Sequence, residues 1–368
     1  MNNTQTITIE GKTYGKETLP RLPQENGETG TPDFRTELFR FLGDWYDERP
    51  CLTVHTSGST GVPKALQVEK ARMLRSARLT CDYLGLASGD TALLCMPLHY
   101  IAGKMMVARA LERGLNLIAR EPSGHPLADS RLPRLDFAAM VPLQVYNSLQ
   151  VPAERERLAN IGALLIGGGA IDRELEEKLR ELPNPIYSSY GMTETLSHIA
   201  LRRLNGSDTS GRYHPFQGVR LSLSPDNTLV IDAPMVCGER LVTNDIARLY
   251  PDGSFTIIGR KDNTVNSGGI KIQIEEVEEA LRPLVTGQYA ITAVPDKRLG
   301  EALTLLCEEE PPSAEALTCR LPRYWSPKHR WRVGQIPLTR TGKIDRAGCR
   351  KLAAKRLAEE QERIINMH

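Results

Sequence analysis

No C-x-x-C pair occurs anywhere in the 368 residues of this chain. Its seven cysteines, Cys51, Cys81, Cys95, Cys237, Cys307, Cys319 and Cys349, are odd in number and widely spaced, which argues against a disulfide framework and against a zinc site. A reducing cytoplasm is the setting that such cysteine usage fits. No uninterrupted apolar run approaches the length that spans a bilayer, and the polar stretch from Met1 to Pro20 lacks the apolar core of a secretory signal. The expectation is a cytoplasmic protein without membrane insertion. Charge of one sign is lacking too: 47 Lys and Arg stand against 45 Asp and Glu, a net +2, so nothing global demands nucleic acid as a partner. The Gly-Lys-[Ser/Thr] end of a Walker A loop is also missing, because Pro63 precedes Lys64 and Ala65 follows it.

What the chain does have there is Thr56-Ser57-Gly58-Ser59-Thr60-Gly61-Val62-Pro63-Lys64. Glycines let backbone approach a ligand, hydroxyls and amide N–H groups donate to anionic oxygens, and a lysine adds a point charge. The pattern points to phosphate. The β-branched, apolar run Cys51-Leu52-Thr53-Val54 before it reads as a strand, so the loop is expected at a strand end, where α/β folds place ligands. Alone, such a stretch reads equally well as a surface loop.

Residues 1 to 33 read as a loosely packed arm with one short strand at Thr6 to Ile9. Helical spacing follows over Phe34 to Tyr46 and over Glu69 to Leu86, ending near Gly85 and Gly89. Thr91 to Pro97, Leu115 to Ala119, Phe137 to Val141 and Ala163 to Ile166 are strand signals separated by helical or irregular segments, which predicts βα units and a largely parallel sheet. Ala163 to Ile166 runs into Gly167-Gly168-Gly169, a place for either close strand-helix packing or ligand contact. Ile186 to Tyr190 ends in Gly191-Met192-Thr193-Glu194-Thr195: an aromatic to stack on a base, a hydroxyl for phosphate and a carboxylate for Mg²⁺, or equally a packed tyrosine and a solvated glutamate. After Gly211 short β runs joined by turns such as Pro251-Asp252-Gly253 suggest an antiparallel meander or small barrel. From Gly259-Arg260-Lys261-Asp262 onward the texture is that of a small α+β domain closed by a charged tail helix from Ala347.

In this order the segments resemble the acyl-adenylate-forming, or AMP-binding, superfamily. Thr56 to Lys64 resembles its phosphate loop, Tyr190 to Glu194 its adenine and magnesium motif, and Asn244-Asp245 with Gly259 to Asp262 its ribose and hinge motifs. Ser267-Gly268-Gly269 and Pro337 to Ile344 resemble the start and the catalytic-lysine motif of its mobile C-terminal domain. Pro97 to Gly103, Leu165 to Gly169 and Tyr190 to Ile199 resemble more narrowly the o-succinylbenzoate-CoA ligases of menaquinone biosynthesis. The fold so implied is α/β: a large N-terminal domain of α/β layers with a small β-barrel-like subdomain over 1–259, and a small mobile α+β lid over 260–368.

The resemblance implies an acid-thiol ligase that uses ATP, Mg²⁺ and CoA to make first an acyl-AMP and then an acyl-CoA. Lys343 is assigned to the acyl carboxylate and α-phosphate, Thr193 to the α-phosphate, and Glu194 to the metal. Thr56, Ser57, Gly58, Ser59, Thr60, Gly61 and Lys64 go to the departing phosphates. Gly168, Gly169 and Tyr190 go to adenine, Asp245 and Arg260 to ribose, and Ser267, Gly268 and Gly269 to the thiol step, with Asp262 as hinge. His99 and Gly103 would stand at the acyl entrance, with Thr195, Ser197 and, more weakly, Arg202 as donors to a second carboxylate. Departures are Thr243-Asn244-Asp245 for the usual Thr-Gly-Asp, Ala65 for a glycine, a short run from Met235 to Gly238 into that motif, and about fifty residues before the loop where the family has many more. A wall so shortened would be completed by a homodimer. Another aryl or acyl acid passed to CoA or a carrier protein, or an idle nucleotide-binding relative, are the alternative functions.

Overall fold

The computed structural model describes residues 5–20, 33–55, 65–169, 171–207, 210–322, 324–339 and 344–366. The chain divides into two compact units, one of Met1–Leu221, Ile231–Leu241 and Tyr250–Phe255, the other of Ser222–Val230, Val242–Leu249 and Thr256–His368.

The first unit is built on a nine-stranded sheet whose order is His214–Pro215, His198–Arg203, Ile186–Gly191, Ala163–Ile166, Phe137–Met140, Thr91–Leu94, Asn116–Ala119, Ile7–Ile9 and Lys12–Tyr14. From Ile186–Gly191 across to Ile7–Ile9 every neighbouring pair is parallel, and antiparallel strands are added only at the two edges. Parallel strands buried on both faces need near-continuous apolar sequence, and Phe137–Met140 and Ala163–Ile166 are buried at every position. Helices supply the cover. Leu175 and Leu179 of the helix Arg173–Arg180 pack with Leu164, Ile166 and Ile186 in one core. Asp172 caps that helix by accepting from the Leu175 N–H at 2.8 Å.

Two expectations change here. Residues 5–14 of the N-terminal arm are not loose: Ile7 and Ile9 are buried, Ile7–Ile9 pairs with Asn116–Leu117, and the Trp45 indole donates to Gln5 Oε1 at 3.1 Å. The strand before the phosphate loop, Cys51–His55, does not end a strand of the large sheet. It pairs antiparallel with Ala65–Glu69, a strand absent from the sequence reading, in a two-stranded sheet of its own. In a Walker A motif a helix follows the lysine, whereas Ala65–Glu69 is a strand, a second reason against that motif.

Four short strands, Arg220–Leu223, Thr228–Asp232, Leu241–Leu249 and Phe255–Arg260, are consecutive in their own sheet, the order of a meander. In the second unit Thr264–Ser267 and Ile270–Gln273 form a hairpin that leads into the helix Ile274–Leu281. Tyr289–Asp296 and Gly300–Cys307 pair along their whole length, and Val277, Leu281, Ile291, Leu303 and Leu305 form their core on one side. Cys349 and Ala353 of the last helix, Arg346–Asn366, join Ala290, Val294 and Leu306 on the other. No helix among the described residues is long and apolar enough to cross a membrane.

Candidate active site

In an open parallel sheet ligands bind beyond the carboxyl ends of the strands. That end of the first unit's sheet carries Pro97 to Gly103, Gly167 to Gly169 and the turn after Gly191. A cleft of about 820 Å³, lined among others by Arg134, Arg157, Gly162 and Pro185, opens at the opposite, amino end of the same strands and holds none of these residues.

Of the glycines after Ala163–Ile166, Gly167 lies close to the neighbouring strand. A Cβ on it would lie 2.4 Å from Ser189 Oγ, so a side chain there would turn that hydroxyl away from the Ile166 carbonyl to which it donates at 3.2 Å. Gly168 is exposed and left-handed at φ +77°. Gly169 is half-buried. Gly103 is likewise a close-approach position: a Cβ would stand 2.4 Å from the Pro97 carbonyl oxygen, so its helix, Ile101–Arg113, packs onto the strand end only without a side chain there. His99 is exposed just before that helix, its ring 4.0 Å from that of Tyr100.

Tyr190 is half-buried, with its ring 5.2 Å from Phe255 and 5.8 Å from Tyr213, which stack on each other. Beyond it the chain turns back antiparallel, and the turn carries Thr193, half-buried, and Glu194, exposed. Thr195 is fully buried and its hydroxyl is spent on the turn itself. It accepts from the Met192 N–H at 3.0 Å and donates to the Ser197 carbonyl at 2.7 Å, so a substrate finds no free donor there. Leu196 takes φ +65°, a costly value for a side chain with a γ branch, and the lock on Thr195 holds it.

Ser197 is also engaged. Its Oγ accepts from Arg109 Nη2 at 2.8 Å and lies 3.1 Å from His198 Nδ1. Arg109 and His198 are both buried, and the sequence reading missed both. The signal was available: Arg109 interrupts the apolar run Met105-Met106-Val107-Ala108 and Ala110-Leu111 on a helix, a place where arginine is rarely found without a purpose. Burial lowers its pKa to about 10, which leaves it a cation at neutral pH. Burial and that cation hold the His198 imidazole well below its ordinary range. Arg202, the weaker candidate for a second carboxylate, is committed elsewhere: it donates to both oxygens of Glu176, at 3.2 and 2.9 Å.

In the second unit Asp245 accepts from Arg260 Nη1 at 3.2 Å, while Nη2 of the same guanidinium donates to Asp262 at 3.2 Å. Asn244 Nδ2, standing where the family has glycine, reaches Asp262 at 3.3 Å. Ser267 ends a strand, and Gly268 and Gly269, both left-handed at φ +60° and +82°, make the tight turn behind it. Thr56, Ser57, Gly58, Ser59, Thr60, Gly61, Lys64 and Lys343 lie outside the described residues.

The model of the family described as AMP-binding enzyme matches residues 24–242. This chain belongs to that family. Among its relatives, the AMP-binding enzymes include a probable 2-succinylbenzoate–CoA ligase of Mycobacterium tuberculosis, 30% identical over 336 residues that cover 83% of this chain and 85% of that one. A solved structure of an acyl-CoA synthetase (AMP-forming)/AMP-acid ligase II-like protein from Dyadobacter fermentans matches with a TM-score of 0.63 and 32% identity, covering 91% of this chain and 97% of that one. The fold also matches that of the Bacillus subtilis o-succinylbenzoate coenzyme A synthetase in complex with ATP and magnesium ion, with a TM-score of 0.65 and 23% identity over 80% of this chain and 68% of that one.

Proposed function

We propose that this AMP-binding enzyme is an ATP-dependent acid-CoA ligase acting on 2-succinylbenzoate, in a cytoplasmic setting. The observation that carries the reading is the locked turn after Tyr190, which presents Thr193 and Glu194 at the carboxyl end of the sheet, together with the 30% identity to a probable ligase of that acid. In the first step a carboxylate oxygen of the acid bonds to the α-phosphorus of ATP, the bond to the bridging oxygen breaks, and pyrophosphate leaves. Charge grows on the phosphoryl oxygens, so fixed donors and cations supply the catalysis. Lys343 and Thr193 serve the α-phosphate, residues 56–64 the departing phosphates, Asp245 and Arg260 the ribose, and Tyr190 with Gly168 and Gly169 the adenine. Glu194 is exposed, and a single accessible carboxylate fits Mg²⁺, an ion that takes one carboxylate and several phosphate oxygens. Bound there it neutralises charge on those oxygens.

In the second step the sulfur of CoA bonds to the acyl carbon, AMP leaves with the electron pair, and the thiol proton goes to solvent. The lid, residues 260–368, turns about Asp262 to exchange the Lys343 face for the Ser267 to Gly269 face. His99 stands at the acyl entrance. A second reading, another acid, is favoured by the similarity to tyrocidine synthase 3 of Brevibacillus parabrevis, 26% identical over 359 residues that cover 84% of this chain and 5% of that one. Pyrophosphate release measured over a panel of acids, with and without CoA, separates the two. Release driven by 2-succinylbenzoate with CoA consumption supports the first, and a preference for another acid replaces it.

A further inference from the structure

Lys343 is followed by Ile344, which faces Leu338 in an antiparallel bridge, and the next N–H, that of Asp345, donates to the Pro337 carbonyl at 2.8 Å. The segment that carries Lys343 therefore leaves and rejoins the second unit at one point. Asp345 also accepts from the Gly348 N–H at 3.0 Å, which caps the start of the helix Arg346–Asn366. Arg346, the first residue of that helix, stands three positions after Lys343. A cation there opposes the helix dipole, which favours anions in the first turn. Glu278, on the helix Ile274–Leu281, offsets it: Arg346 Nη1 and Nη2 donate to its Oε1 and Oε2 at 2.5 and 2.7 Å, and the two side chains are 28% and 14% exposed.

The two helices belong to different cores, Val277 and Leu281 to one and Cys349 and Ala353 to the other. Their ion pair meets where the sheet ends. Tyr289–Asp296 is the outermost strand, with a neighbour on one side only among the described residues. At Ile291 its outward N–H donates to Glu278 Oε1 at 2.8 Å, and its carbonyl accepts from Arg346 Nη1 at 3.4 Å. One forked pair thus clips both helices to the strand edge. Apolar packing lets a helix slide or roll by small amounts, whereas a guanidinium bonded to a carboxylate through two nitrogens admits one orientation. That orientation is fixed at the end of the helix nearest Lys343.

We propose that Arg346 and Glu278 are positioning residues for adenylate formation, aiming Lys343 by fixing the point at which its segment joins the last helix. The inference rests on the role given to Lys343 above. Its test compares wild type with Arg346→Met, Arg346→Lys, Glu278→Gln, Lys343→Ala and the double variant Lys343→Ala/Arg346→Met. Each is measured for pyrophosphate release and for thioester formation from supplied acyl-AMP. Arg346→Met is expected to lose on the order of ten- to a hundredfold in pyrophosphate release, the scale for a catalytic group displaced by about an ångström. Thioester formation should change by less than about threefold, a split that a general folding defect does not produce. Arg346→Lys keeps the charge without the fork and Glu278→Gln keeps the shape without the charge, so each should show the same split with a smaller loss. They carry the comparison if Arg346→Met does not fold. In the Lys343→Ala background Arg346→Met should lower pyrophosphate release no further, because a residue that acts through Lys343 then has nothing left to aim. Equal losses in both half-reactions, multiplied losses in the double variant, or an Arg346→Met indistinguishable from wild type beside a crippled Lys343→Ala overturn the proposal alone. If Lys343→Ala leaves pyrophosphate release unchanged, the role given to Lys343 has failed and the proposal falls with it.

Discussion

Gly191 lies so close to His198 that a Cβ added to it would stand 2.4 Å from the His198 Cα, and 2.3 Å from the Ser197 carbonyl oxygen. Both obstacles are backbone, at the start of the strand paired with Gly191 and in the residue just before it, so no side chain can swing aside. Gly191→Ala must therefore part the two strands exactly where the turn bearing Thr193 and Glu194 begins. The expected loss is about 1–3 kcal/mol of stability, as for other overpacked sites, with adenylation falling further than stability because the turn is displaced. Urea midpoints and pyrophosphate release check this. Gly43→Ala is the control: Gly43 lies within the helix Phe34–Tyr46 with nothing within 4 Å of an added Cβ, and should stabilise by about 0.5–1 kcal/mol.

Arg202 gives both its terminal nitrogens to Glu176, and both side chains are only 16% exposed. A guanidinium so committed is a structural partner. Arg202→Met should lower stability by roughly 1.5–3 kcal/mol, the range for hydrogen bonds to charged groups, and leave the KM for the acid within about twofold. A KM that rises tenfold with stability unchanged would return Arg202 to the acyl pocket.

The elements that were legible in the sequence are those whose pattern and environment agree. Phe34–Tyr46 is a helix because its apolar residues recur at helical spacing and Asp33 caps it, and Ala163–Ile166 is a strand because every position is buried. Ala65–Glu69 was hidden because only Val68 in it is buried, leaving no alternation to read. Ile7–Ile9 was visible as a strand but not as part of the large sheet, since its partner Asn116–Ala119 lies more than a hundred residues on and nothing local names it. The same limit hid the site's rear wall. Tyr190 to Glu194 announces itself as a motif, whereas Arg109, Thr80 and His198 meet only once three elements have packed.

His198 makes stability depend on pH in a known direction. Burial first, and then the Arg109 cation, hold its folded pKa well below the ordinary 6.5. Below that ordinary value the unfolded chain takes up a proton that the folded protein refuses, so the unfolded state binds more protons and stability falls as pH drops. Above it the contribution is fully present. One refused proton amounts to at most about 1.4 kcal/mol per pH unit. Urea midpoints at pH 7.5 and 5.5 should therefore differ more in wild type than in His198→Asn, which is less stable at both but has lost this titration. Equal slopes in the two proteins contradict the assignment.

The most exacting prediction concerns Lys343, which follows Thr339 to Gly342 in the segment read as the catalytic-lysine motif. A cation bridging the acyl carboxylate and the α-phosphate is needed only while the bond to phosphorus forms, and in the thiol step the same space must be cleared for CoA. Removing one such transition-state contact lowers rates by about a hundred- to a thousandfold. Lys343→Ala should accordingly lose at least that much in pyrophosphate release, yet convert supplied acyl-AMP and CoA to product within about threefold of wild type. Restricting the turn at Asp262 should invert the pattern. Asp262→Pro fixes one backbone angle and removes an N–H, so it should spare pyrophosphate release and slow the thiol step. If both variants damage both steps equally, a single arrangement of the lid serves the two reactions, and the division of labour between Lys343 and the Ser267 to Gly269 face is wrong.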